Sequence, residues 1–206
     1  MAILLTVAAV FSACGKDEKP GPSKPAPPPR AALQLGEVKA LDAKDRPEAA
    51  AKANEQAAVV TQALNAFYDH GFVDPSKFQA GAHPGLAGLF TAEAQPQVGP
   101  NLGGLALAEL AVKVRKIDVT VQKIDKLSFL IEDDLSASSA IATVTFQGAA
   151  STKAKADGPV DITHKATFLL TPEGGTYKIA AFFAELKADT RTKKAAFGSL
   201  PYGAVL

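Results

Sequence analysis

The sequence predicts an α+β domain: N-terminal helices packed on a curved antiparallel sheet of about four strands. Three observations predict it. Apolar residues recur at helical spacing from Pro47 to about Asp69. Beyond Val114 the apolar period changes to two and stays so to Leu186. The helical and extended stretches are segregated along the chain, which is the order of an α+β domain and not of alternating βαβ units. A sheet with one apolar face needs a cover, and the early helices supply it.

The elements follow in order. Asp45-Arg46-Pro47 is a helix start, because proline is tolerated in the first turn and a nearby aspartate can cap free amides. Ala53, Ala57, Val60, Leu64, Phe67 and Tyr68 then share one side of the helix. Gly71 suits a C-terminal cap, with Phe72 folding back on the last turn. Asp74-Pro75 repeats the start signal for a short helix through Phe78. Prolines and glycines punctuate 81–101, leaving room for a short helix around Leu86 to Ala94, and 102–112 is expected to be another. Val114 to Glu132 is a long strand with Ile124 out of phase, so a bulge is expected near Lys123. Ala140 to Gly148 is a second strand. Val160 to Thr171 is a third, with Val160, Ile162, His164, Ala166, Phe168 and Leu170 on one face. After the turn Pro172-Glu173-Gly174-Gly175, a fourth strand runs from Tyr177 to Leu186. Phe182 and Phe183 make it apolar on both faces, which suggests a central or doubly covered position.

Length and composition bound the function. A chain of 206 residues is one domain with extensions. A net charge of +1, from 22 basic and 21 acidic side chains, argues against a nucleic-acid binder driven by bulk charge. One cysteine excludes a disulfide framework and a zinc site of several thiolates. His70 and His83, with Asp69 and Asp74, match no standard metal spacing, so neither a metal nor another cofactor is expected.

The organisation outside the domain is distinctive. Ala2 to Ala13 is uncharged and nearly all apolar, too short to span a bilayer but suited to a secretory signal. Phe11-Ser12-Ala13-Cys14 resembles the lipobox of bacterial lipoproteins. That resemblance implies cleavage before Cys14, diacylglycerol on its thiol, and a partner in the lipid bilayer. Residues 1–13 are thus expected to be a signal peptide and 14–46 a lipid-anchored, disordered linker. Six prolines between Pro20 and Pro29 favour an extended stalk. Leu33, Leu35, Val38 and Leu41 form a transition that either packs as a short element or stays loose. The domain proper is expected over 47–189. The tail, 190–206, carries Phe197, Leu200, Tyr202, Val205 and Leu206, which need cover, and docking on the domain is favoured.

From Pro47 to about Asp189 the order of elements resembles the cone-shaped fold of nuclear transport factor two and ketosteroid isomerase. The long first helix ending Ala66-Phe67-Tyr68, the bent long strand, and the closing Thr171 to Ile179 hairpin carry the likeness. The resemblance implies a sheet wrapped round a helix with a pocket at the open end, and functions from isomerases to non-enzymatic accessory domains.

The candidate pocket residues are His164, Tyr68, Phe129, Phe146 and Phe168. His164 stands in an otherwise apolar row and faces the covered side of the sheet. It is either a general base or ligand-orienting group, or a core histidine held by one hydrogen bond. Tyr68 and Tyr177 offer hydroxyls, but no inward carboxylate completes an isomerase site, so no catalytic set is assigned. The expected function is a membrane-anchored bacterial envelope lipoprotein whose domain binds a small apolar ligand or an envelope protein partner, without catalysis and without nucleic acid. The alternative is an isomerase- or dehydratase-like enzyme using the pocket histidine. An enzyme needs a second polar group beside His164 in a cavity, and a ligand binder needs an open apolar cavity. A scaffold shows a filled interior and an apolar patch outside.

Overall fold

The computed structural model describes residues 32–41, 46–77, 85–107, 110, 113–154 and 158–190. The expected signal peptide, Cys14, the proline-rich stalk and the tail after Thr190 lie outside them, as do Asp45, Phe78 and His83.

Among the described residues, eleven elements follow one another, dominated by one long helix and five strands. They are β1 (Gln34–Leu41), α1 (Pro47–Tyr68), the one-turn helices α2 (Gln95–Val98) and α3 (Leu102–Leu105), and then β2 (Val114–Ile131), β3 (Ala137–Thr152), β4 (Val160–Glu173) and β5 (Thr176–Thr190), with a π-helical turn and two 3₁₀ turns among them. The sheet order is β1-β2-β3-β4-β5. Strands β2 to β5 form an antiparallel meander, and β1 pairs parallel to β2. The α+β layout stands, but the sheet is mixed and has five strands.

The fifth strand comes from the segment expected to belong to the linker. In β1 the partly buried residues are Gly36, Val38 and Ala40, while Leu35, Glu37, Lys39 and Leu41 are exposed. Its large apolar side chains therefore point away from the helix, and small ones face inward, so alternation by size is inverted. Leu33 anchors its start, buried and donating its amide to Asn65 Oδ1 on α1 at 2.8 Å. Gly36 shows why a small residue stands here. A Cβ on it would lie 2.6 Å from the Ile124 carbonyl oxygen and 2.7 Å from that of Asp125, both backbone atoms of β2. Gly36→Ala is therefore expected to push β1 off the sheet, costing about 1–3 kcal/mol. Urea denaturation and amide exchange over 34–41 check it; a change within about 0.5 kcal/mol would mean the strand tolerates the shift.

Helix α1 lies on the inner face. Its buried residues are Ala49, Ala53 and Ala57, then Val60, Leu64, Phe67 and Tyr68. Side-chain size rises along the stripe, so the first turns can approach the sheet closely and the last turns fill a wider space. Arg46 occupies the cap position without a side-chain cap bond, and instead binds the Glu132 carbonyl at 2.8 Å and Asp133 at 3.3 Å. The expected glycine cap is corrected. Gly71 is not left-handed; α1 runs straight into a π-helical turn, Asp69–Val73. Gly71 instead packs against Ala106, and its carbonyl accepts the Leu107 amide at 3.1 Å. Phe72 does fold back, against the Tyr68 ring.

The middle segment is less helical than its composition suggests. Among the described residues, the helices expected at 74–78, 86–94 and 102–112 appear as 3₁₀ turns at Pro75–Lys77 and Ala87–Leu89 and as the single turn α3. At Ala106 the backbone becomes extended, which ends α3.

The strands follow their alternation closely. Register shifts between Val119 and Val121 and between Ile124 and Lys126 flank Lys123, where the out-of-phase isoleucine pointed. Gly174 and Gly175, with φ of 60° and 80°, make the two-residue turn between β4 and β5, a conformation that suits the twist of a hairpin. Strand β5, however, is an edge strand, not a central one. Phe182 faces the core, and Phe183 on the other face is 46% exposed. Near its start the edge is covered where Phe90 bridges Ile179 and the Thr91 amide donates to the Ile179 carbonyl at 3.0 Å.

Candidate functional site

Strand alternation puts His164 on the inner face of β4, opposite Phe146 on β3 and Leu186 on β5. The end of α1 puts Tyr68 above it. The Tyr68 hydroxyl and His164 Nδ1 are 2.9 Å apart, and both residues are fully buried. The second polar group that the sequence alone did not assign to His164 is therefore present, contributed from 96 residues away.

Aromatic rings make up much of the surroundings. Ring centroids of Phe72, Tyr68 and Phe67 lie 4.5, 5.6 and 6.4 Å from that of His164. Tyr68 stacks on Phe146 at 5.5 Å, Phe72 meets Phe146 at 5.2 Å, and Phe168 meets Phe67 edge-on at 5.0 Å. These are contact distances for aromatic rings, and all of these side chains are buried. The π-helical turn after α1 is what swings Phe72 back under Tyr68, 5.3 Å away.

This burial sets the electrostatics. Loss of water pushes the His164 imidazole down to about 3, with the Gly104 carbonyl acting weakly in the opposite sense. The ring is neutral at pH 7. Burial also holds the Tyr68 hydroxyl well above its ordinary value, helped by the negative charge of Asp125. One hydrogen bond joins the two neutral groups, and the imidazole tautomer sets which of them donates. Among the described residues, His164 Nε2 has no partner within hydrogen-bond geometry, and Gln122 Oε1, on the same inward cross-strand row beyond Phe146, has none either.

The candidate residues thus divide. Tyr68, His164, Phe146 and Phe168 come together in one cluster. Phe129 is buried elsewhere, on the row of Ala140, Leu170 and Ile179, with Tyr177 at 6.3 Å. Tyr177 turns its hydroxyl toward Gln56 on α1, 3.4 Å away, and burial raises its ionisation point. Reasoning from residue patterns left out Phe67, Phe72 and Phe90, which complete the cluster. The fold-back of Phe72 was legible; its contact with His164 was not. Asp69 is paired with Lys77, and Asp74 accepts from Ser76. Among the described residues, no three His, Cys, Asp or Glu side chains converge as metal ligands, and no helix is long and apolar enough to cross a membrane.

No protein-family model matches the chain, and neither a curated protein nor a solved structure shows significant similarity to it.

Proposed function

We propose that this chain is a lipid-anchored protein of the bacterial cell envelope, with a domain that acts as a non-catalytic accessory or interaction module. The anchor reading rests on the Phe11 to Cys14 sequence and the proline-rich stretch behind it. The domain reading rests on one observation: the space around His164 is filled by Phe67, Phe72, Tyr68 and their neighbours. A general base must reach a substrate proton at hydrogen-bond distance. His164 is enclosed by rings, and its low proton affinity makes it a poor base at neutral pH. A ligand carrier needs room that these rings occupy. The same packing supports a cone-like plan in which the sheet bends at the β2 register shifts around α1, closed by aromatic side chains where an enzyme of that plan would be open.

The test joins both halves of the proposal. Cells expressing the full chain are labelled with radioactive palmitate, and the detergent-released protein is weighed by native mass spectrometry. Label is expected on the wild type and not on Cys14→Ser, with the protein mass equal to that of the processed, acylated polypeptide alone. Label retained by Cys14→Ser would remove the anchor. A reproducible extra mass, lost on organic extraction, would replace the module with a ligand carrier.

A further inference from the structure

The face of the sheet turned away from α1 carries at least one large exposed apolar residue on every strand, with both Leu35 and Leu41 on β1. Leu41 on β1 is paired with Leu130 on β2. Ile141 on β3 is paired with Leu169 on β4, and its partner on β2 is Ser128, two residues from Leu130. The partner of Leu169 on β5 is Ala181, two residues from Phe183. Direct and diagonal neighbours of this kind are within reach of each other's side chains. Leu41, Leu130, Ile141, Leu169 and Phe183 therefore make a continuous apolar band that crosses the strands, about 19 Å long at roughly 4.8 Å per strand spacing. Bands of this kind are rarely left uncovered on a soluble surface.

The geometry points to residues 197–206 of this same chain as its cover. Thr190 ends β5, and Phe183 lies seven residues before it. Phe197 lies seven residues after it, so a chain doubling back along β5 brings Phe197 level with Phe183 after about 23 Å in each direction. The ten residues from Phe197 to Leu206 then span up to about 30 Å, enough to follow the band from β5 to β1. Their composition fits that route. Phe197, Leu200, Tyr202, Val205 and Leu206 supply apolar contacts, whereas Gly198, Pro201 and Gly203 disfavour a regular sixth strand on the β5 edge. The returning stretch contains Arg191, Lys193 and Lys194 and would pass Glu185 and Asp189 on the outer face of β5, with Lys187 between them. This inference goes beyond the proposed function and holds whether or not the domain recruits a partner; a partner for this face would have to displace the tail.

Disulfide trapping in the full chain tests it, with Cys14→Ser removing the native thiol. Leu169→Cys combined with Leu200→Cys is expected to close a bond within one chain about tenfold faster than a control pair. The control joins Leu200→Cys to Glu55→Cys, exposed on α1 across the sheet; the tenfold margin reflects the local concentration of a tethered segment. Equal rates would overturn the assignment, as would bonds formed only between chains, which would give the face to a second copy. A second measurement does not depend on engineered thiols. Ending the chain after Lys194 is expected to raise hydroxyl-radical oxidation of Leu130, Ile141, Leu169 and Phe183 about fivefold, the loss of a segment held at millimolar effective concentration. Unchanged oxidation in the monomer would overturn the assignment too.

Discussion

Acidification from pH 7 to pH 4 is expected to cost the folded protein about 3 kcal/mol through His164 alone. The unfolded chain takes up a proton on this imidazole near pH 6.5, whereas the folded chain refuses it down to about 3. Between those values the unfolded state binds more protons, so stability falls as pH falls, by about 1.4 kcal/mol per unit. Above pH 6.5 the term vanishes. Urea midpoints across this range check the slope, and His164→Leu isolates it. That variant leaves the buried Tyr68 hydroxyl without its partner, so at pH 7 it should be about 1–3 kcal/mol less stable than the wild type. As it lacks the titrating ring, its curve should run flatter, and near pH 4 the two proteins should converge. The double variant Tyr68→Phe with His164→Leu removes both polar groups and should keep the flat profile at a higher level. Asp134, whose carboxyl is held below its ordinary range by Ser136, loses that advantage in acid in every variant, so it cancels in the comparison. Parallel curves for wild type and His164→Leu between pH 6.5 and 4 would show that the imidazole is protonated in the folded state.

The parts of this fold that were legible in the sequence are those where burial on one face enforces alternation. In β4 every inward residue from Val160 to Leu170 is buried, and that row alone placed His164. The bulge near Lys123 was legible because Ile124 broke the period yet had to stay in the core. Strand β1 was not, because its inward positions are Gly36, Val38 and Ala40 and its leucines belong to the outer face. Strand β5 misled for a related reason: Phe183 looked like a second buried face, but an apolar side chain reports a need for cover and not what supplies it. The site was half legible. His164 stood out inside an apolar row and Tyr68 at the end of one, but their bond joins α1 to β4 across 96 residues, and no local pattern encodes such a pairing. Phe129 and Phe168 looked equivalent as inward aromatics; only the strand register separates them into different rows.

That separation sets up a comparison of two truncations. Phe72→Ala and Phe129→Ala each remove a fully buried ring, and each is expected to cost about 3–5 kcal/mol at pH 7. Their effects on His164 should differ. The Phe72 ring lies 4.5 Å from the imidazole and also touches Tyr68 and Phe146, whereas Phe129 packs beside Tyr177 in another row. Removing Phe72 opens a space bordered by polar atoms, and such a space takes up water where an apolar one stays dry. Water there would supply hydrogen bonds to the imidazole and lessen the desolvation that holds its proton affinity down. In Phe72→Ala, then, the His164 titration followed by NMR should move up from about 3 toward its ordinary 6.5, and the acid-dependent loss of stability should shrink with it. In Phe129→Ala the protein should be weakened by a similar amount at pH 7 with the titration left where it was. The contrast matters because lost stability alone says only that a core was damaged. A shift confined to Phe72→Ala ties the low proton affinity of His164 to the ring that seals it. The same His164 titration in both variants would mean that exclusion of water does not depend on Phe72, and the packed interior would then be the wrong explanation for a histidine that stays neutral.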